Sequence, residues 1–83
     1  MAACKIDKHL GARITLAREE NGLELDHLAL AMGVSSQEMS EIEDGLVRVR
    51  ASILARSAVN LNRSIGWFYD GLPGQAVFDR GSK

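Results

Sequence analysis

The chain has 83 residues, 46% of them hydrophobic and 25% charged, with a net charge of -1; that is room for one small domain around one core and excludes a second. No apolar run approaches the roughly 18 residues that a membrane-spanning helix needs, so a soluble chain with no membrane partner is expected. The single cysteine, Cys4, allows no internal disulfide, and the opening MAACKIDKHL has no apolar signal core, both of which suit a reducing cytoplasm.

Helical spacing of Leu10, Ile14 and Ala17 predicts a first helix, with Asp7 as its cap and Gly22, after Asn21, as its stop. Leu23, Leu28, Ala29 and Met32 repeat the spacing over a shorter run ended by Gly33, with Glu24 and Asp26 at the positive end of the helix dipole. Ser35 starts a third helix over about 35–44. Glu38 three residues later completes a capping box, Met39 and Ile42 face inward, and Gly45 ends the helix. After LVRVR, Ser52 is expected to cap a fourth helix with Leu54, Ala58 and Leu61 on one face. Asn62, tolerant of left-handed geometry, stops it. Ser64 caps a fifth, with Ile65 and Phe68 inward, and DGLPG breaks the structure. The expected architecture is all-α: an arm over 1–6, a compact five-helix domain over 7–71 and a short C-terminal tail over 72–83.

Charge is segregated along this plan. Eight acids lie from Glu19 to Asp44 (Glu19, Glu20, Glu24, Asp26, Glu38, Glu41, Glu43, Asp44), and the nearest bases on either side are Arg18 and Arg48. Because binding to an acidic polymer depends on local basic clusters, the position of the charges matters more than their total.

Two short helices joined by the tight turn GVS form a helix-turn-helix unit, which projects its second helix outward. With LGARI and Arg18, NGL, LA at Leu28 and Ala29, MGVS, IEDG and SIGWFYDGL in this order, the chain resembles the lambda-repressor-like, Cro/Xre-type helix-turn-helix family of bacterial and phage DNA-binding proteins. The resemblance runs from about Leu10 to Leu72. It implies a third helix lying in the major groove of double-stranded DNA, with Ser36, Gln37, Ser40 and Glu41 at the base-reading positions. Gln37 is suited to bidentate pairing with adenine. The resemblance further implies phosphate contacts at Ser35, Arg48 and Arg50, and an ion pair between Arg18 and Glu43 tying the first helix to the third. A homodimer on a palindromic operator is the expected form, acting in the cytoplasm at the nucleoid.

The chain also departs from the family pattern. Glu24 and Leu25 stand where Ser or Thr followed by Gln is usual, which removes one phosphate-binding side chain; Glu41 and Asp44 stand where neutral or basic residues are common. Glu41 is either an acceptor for a cytosine amino group or an exposed acid with no role. Glu38 is assigned to the capping box, and His27, Arg56, Arg63, Lys5 and Lys8 to the solvated surface, with Lys5 and Lys8 as an auxiliary phosphate-binding arm.

Trp67, Tyr69, Leu72 and Phe78 gather past Ser64, where a short helix cannot bury every face; they form either an exposed apolar patch suited to dimerisation or a local cap on the core. Nothing supports catalysis: there is no paired-carboxylate cleft, no nucleophile with a base at plausible spacing and no Gly-rich phosphate loop. One cysteine and two histidines 18 positions apart do not make a metal site, and no cofactor is expected. The acidic middle leaves a second reading open, a helix-turn-helix scaffold that binds protein, as an antitoxin-like or anti-regulator module would.

Overall fold

Residues 5–72 are described by a computed structural model. In chain order the elements are α1 (Lys5–Glu20), α2 (Leu25–Met32), α3 (Ser36–Glu43), α4 (Ala51–Leu61) and α5 (Ile65–Tyr69), with no strand among the described residues. The apolar residues picked out by spacing meet in one core: Leu10, Ile14 and Ala17 from α1, Leu28, Ala29 and Met32 from α2, and Met39 and Ile42 from α3. Ile53, Leu54, Ala58 and Leu61 from α4 and Phe68 from α5 complete it. No described helix is long and apolar enough to cross a membrane.

Four helices end in the same way. Gly22, Gly33, Gly45 and Asn62 all take positive φ, and after each the chain turns back so that paired N–H groups reach carbonyls of the last turn, as Val34 N to Ala29 O (3.0 Å) and Gly33 N to Leu30 O (3.2 Å) do at the end of α2. This satisfies carbonyls the helix leaves without partners. Gly33 matters most for function, since its φ of 77° makes the tight turn that sets α3 across α2. Arg56 of α4 adds a bond from Nη1 to Met32 O at 3.0 Å, so it braces the end of α2 and is more than a solvated charge.

Starts were harder to place than stops. α1 begins at Lys5, two residues before Asp7, so Lys5 and Ile6 belong to the helix and not to an arm. Asp7 is not a cap: it is 4% exposed, and its carboxylate accepts the backbone N–H of Val49 at 2.7 Å. α4 begins at Ala51, with Arg50 as its N-cap and no side-chain cap; Ser52 therefore falls inside the first turn. The chain enters α4 extended, and Leu54 N bonds Arg50 O at 3.0 Å, one register ahead of Ser52. In α5, Ser64 does cap, accepting Trp67 N at 3.2 Å. Ile65 is 43% exposed rather than inward, and Phe68 alone of this helix is fully buried.

The far end of the bundle is closed by cations rather than left open. Two guanidiniums lie over the Trp67 ring, Arg13 at 3.8 Å and Arg63 at 4.8 Å from its centroid, and the ring meets Phe68 edge-on. Arg13 also donates to Trp67 O, at 2.8 Å from Nη2 and 3.2 Å from Nε. Arg63 pairs with Glu20 at 2.6 Å and is thus a structural group. Leu72 is 4% exposed and belongs to the core edge, while Trp67 and Tyr69 are half-buried against the core. Among the described residues this end therefore lies closer to the second of the two expectations, a local cap on the core, than to an open apolar patch. Phe78 lies outside them.

Candidate nucleic-acid interface

α3 is a short helix held firmly at both ends. At its start the Ser35 hydroxyl accepts Glu38 N at 3.0 Å, and the Glu38 carboxylate accepts Ser35 N at 3.3 Å. This reciprocal cap contributes about 1 kcal/mol. It uses one lone pair of the Ser35 hydroxyl and leaves the proton free to donate. Along the inner face Met39 and Ile42 are buried. At its end, Gly45 lets the chain pass over α1, where an added Cβ would meet Lys8 Cα at 2.8 Å.

A second fastening joins α3 to α1. Arg18 Nε donates to Glu43 Oε2 at 2.8 Å and Arg18 Nη2 to Glu43 Oε1 at 3.1 Å, a two-point fork of the geometry that makes such pairs strong. The side chains are 15% and 6% exposed. Hydrogen bonding to Glu43 raises the Arg18 pKa above its ordinary value, with burial opposing it, so the guanidinium stays charged. Arg18 Nη1 also takes Leu23 O at 2.8 Å, which anchors the entry to α2.

With one face buried and both ends fixed, α3 presents its opposite edge to solvent. Ser36 and Gln37 are exposed; Ser40 and Glu41 are half-buried. Two hydrogen bonds organise this edge: Ser36 Oγ to Asp26 Oδ1 at 2.6 Å and Gln37 Nε2 to Glu41 Oε2 at 3.3 Å. Sequence reasoning missed Asp26 as a partner of Ser36. The only available signal was an acid at the start of α2 facing a hydroxyl at the start of α3.

Behind α3 the chain is extended, and the alternation in VRVR becomes a two-sided strip. Val47 and Val49 pack on the core, while Arg48 and Arg50 are exposed. The Asp7 bond to Val49 N sits between the two arginines and fixes the backbone that carries them. Between α3 and this strip runs a groove of about 340 Å³, floored by Ile42, Val47 and Ile53 and edged by Glu41 on one side and Arg48 and Arg50 on the other. Neither Arg48 nor Arg50 is in an ion pair among the described residues, so both guanidiniums are available to an anion.

At the start of α2, Glu24 occupies the cap position without making a side-chain cap bond. His27 is exposed beside it. Neither α2 nor α3 contains a lysine or arginine. The face therefore carries acceptors and carboxylates over the helices, with the cations confined to the strip behind. Among the described residues no group of His, Cys, Asp or Glu side chains could hold a metal ion.

No protein-family model matches the chain. An uncharacterized HTH-type transcriptional regulator of Sinorhizobium medicae is 35% identical over 69 residues, which cover 83% of this chain and 50% of that protein. The chain thus spans about half the length of the curated relatives it matches. Among solved structures, the clp gene regulator ClgR from Corynebacterium glutamicum superposes with a TM-score of 0.73 at 32% identity, covering 76% of this chain and 82% of that one. An HTH_3 family transcriptional regulator from Vibrio cholerae does so with a TM-score of 0.72 at 25% identity, covering 86% and 41%. On the five-helix fold and these likenesses together, the chain belongs to the lambda-repressor-like, Cro/Xre-type helix-turn-helix family.

Proposed function

We propose that the chain is a sequence-specific DNA-binding transcriptional regulator that sets α3 in the major groove, reads base edges with Ser36, Gln37, Ser40 and Glu41, and holds the phosphate backbone through Arg48 and Arg50. One observation carries this reading: a polar edge on a helix fixed at both ends stands beside two guanidiniums that have no ion-pair partner among the described residues and whose backbone is pinned by Asp7. The cap uses a lone pair of the Ser35 hydroxyl and leaves its proton for a phosphate oxygen, beside the backbone amides at the positive start of α3. Two copies joined through the parts of Trp67 and Tyr69 that stay exposed would place two α3 helices on a palindrome with half-sites about one helical turn apart. Such a protein works at the nucleoid and needs no cofactor for reading.

The acids on α2 and α3 act against wrong sequences: their repulsion from phosphates weakens binding, and only a sequence whose base contacts offset it is held. The test is a duplex enriched from a random pool. Replacing Gln37 and Arg48 together by Ala should weaken its binding about a hundredfold, from one lost base pairing and one lost phosphate contact. Both side chains are exposed, so the fold should survive. Affinity within about threefold of the parent would contradict the proposal.

The absence of lysine and arginine from α2 and α3 favours a second reading, a helix-turn-helix scaffold whose acidic face meets a basic protein partner. In that case the same double substitution leaves partner binding intact, and no duplex is enriched.

A further inference from the structure

We propose that α3 selects bases carrying an exocyclic amino group, adenine N6 or cytosine N4, because Asp26 and Glu41 turn its reading edge into a set of hydrogen-bond acceptors. This inference rests on the DNA-binding reading above. A serine hydroxyl has one proton and two lone pairs. Ser36 gives that proton to Asp26 at 2.6 Å, a short bond of the charge-assisted kind. Donating to a guanine oxygen would require abandoning the carboxylate and leaving Asp26 without that bond next to phosphates. What Ser36 offers the groove is lone pairs.

Gln37 is constrained in the same sense. One of its two amide protons goes to Glu41 Oε2 at 3.3 Å, which also settles the orientation of the amide, since its oxygen would repel the carboxylate. One N–H and the carbonyl oxygen remain. That pattern complements adenine, which shows N7 as acceptor and N6 as donor, and fails guanine, whose N7 and O6 both require donors. The carboxylate oxygens of Glu41 only accept. Guanine is usually read by Arg or Lys, and α2 and α3 contain neither. A guanine with O6 and N7 toward Ser36, Gln37 and Glu41 would meet lone pairs, negative charge and the single N–H left on Gln37, which cannot serve both acceptors.

The test uses the full chain and a duplex enriched from a random pool, with single bases replaced by analogues. Purine lacking the 6-amino group replaces each adenine, 2-pyrimidinone lacking the 4-amino group replaces each cytosine, and 7-deazaguanine replaces each guanine. At least one amino deletion should weaken binding about tenfold, and every 7-deazaguanine should leave it within about twofold. The double variant Asp26→Ala, Glu41→Gln should bind all duplexes more tightly, because two negative charges are gone. Its preference for the enriched duplex over the amino-deleted one should shrink by about tenfold. If tightening occurs with that preference unchanged, Asp26 and Glu41 act on phosphates alone and the proposal is overturned. It is overturned as well if 7-deazaguanine, rather than amino deletion, costs the tenfold, although DNA reading then stands. If no duplex is enriched at all, the DNA-binding reading and this proposal fall together.

Discussion

Gly11→Ala is the sharpest test of how α3 is seated. Gly11 is buried in the middle of α1, where alanine would favour the helix by about 1 kcal/mol. Against that gain, the added methyl would lie 2.9 Å from the carbonyl oxygen of Glu43 and closer still to that of Ile42, where ordinary contact begins at 3.4 Å. Both obstacles are backbone atoms in the last turn of α3, which cannot swing aside as a side chain would. Overpacking of this kind costs about 1–3 kcal/mol, and an obstruction by backbone belongs at the upper end. The net loss is then about 2 kcal/mol, a fall in Tm of about 8–16 °C for a domain of this size. Gly66→Ala is the matched control, because nothing lies within 4 Å of its added Cβ and its φ is not in the left-handed region; it should hold or raise Tm. Thermal melts followed by circular dichroism read both. A Gly11→Ala protein as stable as its parent would show that α1 and α3 do not approach as closely as described.

Glu43→Ala leaves the part-buried Arg18 without its carboxylate, though still bonded to Leu23 O, and urea unfolding should show a loss of about 1.5–3 kcal/mol; a loss below about 0.5 kcal/mol would mean that the pair is solvated. Binding to random duplex should depend weakly on salt, with log K against log salt falling at about -2 per protomer if Arg48 and Arg50 supply the phosphate contacts. A slope steeper than about -5, or tight random binding at about 150 mM salt, would require cations that the strip behind α3 does not hold.

Some of this molecule could be read before any coordinates and some could not, and the division has a physical cause. Gly22, Gly33, Gly45 and Asn62 announce helix ends because few residues tolerate the left-handed conformation the motif demands. The capping box of Ser35 and Glu38 is equally legible, its two bonds spanning three residues. Asp7 misleads because the proton it accepts belongs to Val49, 42 positions on, and a carboxylate near a helix start looks like a cap wherever its partner lies. Trp67 misleads in the same way: the guanidiniums that cover it come from Arg13, 54 positions away, and from Arg63. Spacing identifies which residues are apolar enough to form a face, but not which cations will lie over an aromatic ring. At the interface, the order of motifs identified α3 as the element to watch. The bond from Ser36 to Asp26 depended on the crossing of two helices and had no local signature.

The DNA-reading role proposed for this chain requires the outer edge of α3 to be the surface that meets DNA. Titrating an isotopically labelled chain with its enriched duplex and following the backbone amide resonances measures this directly. The largest changes should fall on Ser35 to Glu41 and on Arg48 to Arg50, with α1 and α5 around Arg13 and Trp67 little affected except where two copies touch. Changes centred on Arg13, Arg63 and Trp67, with α3 silent, would contradict the account.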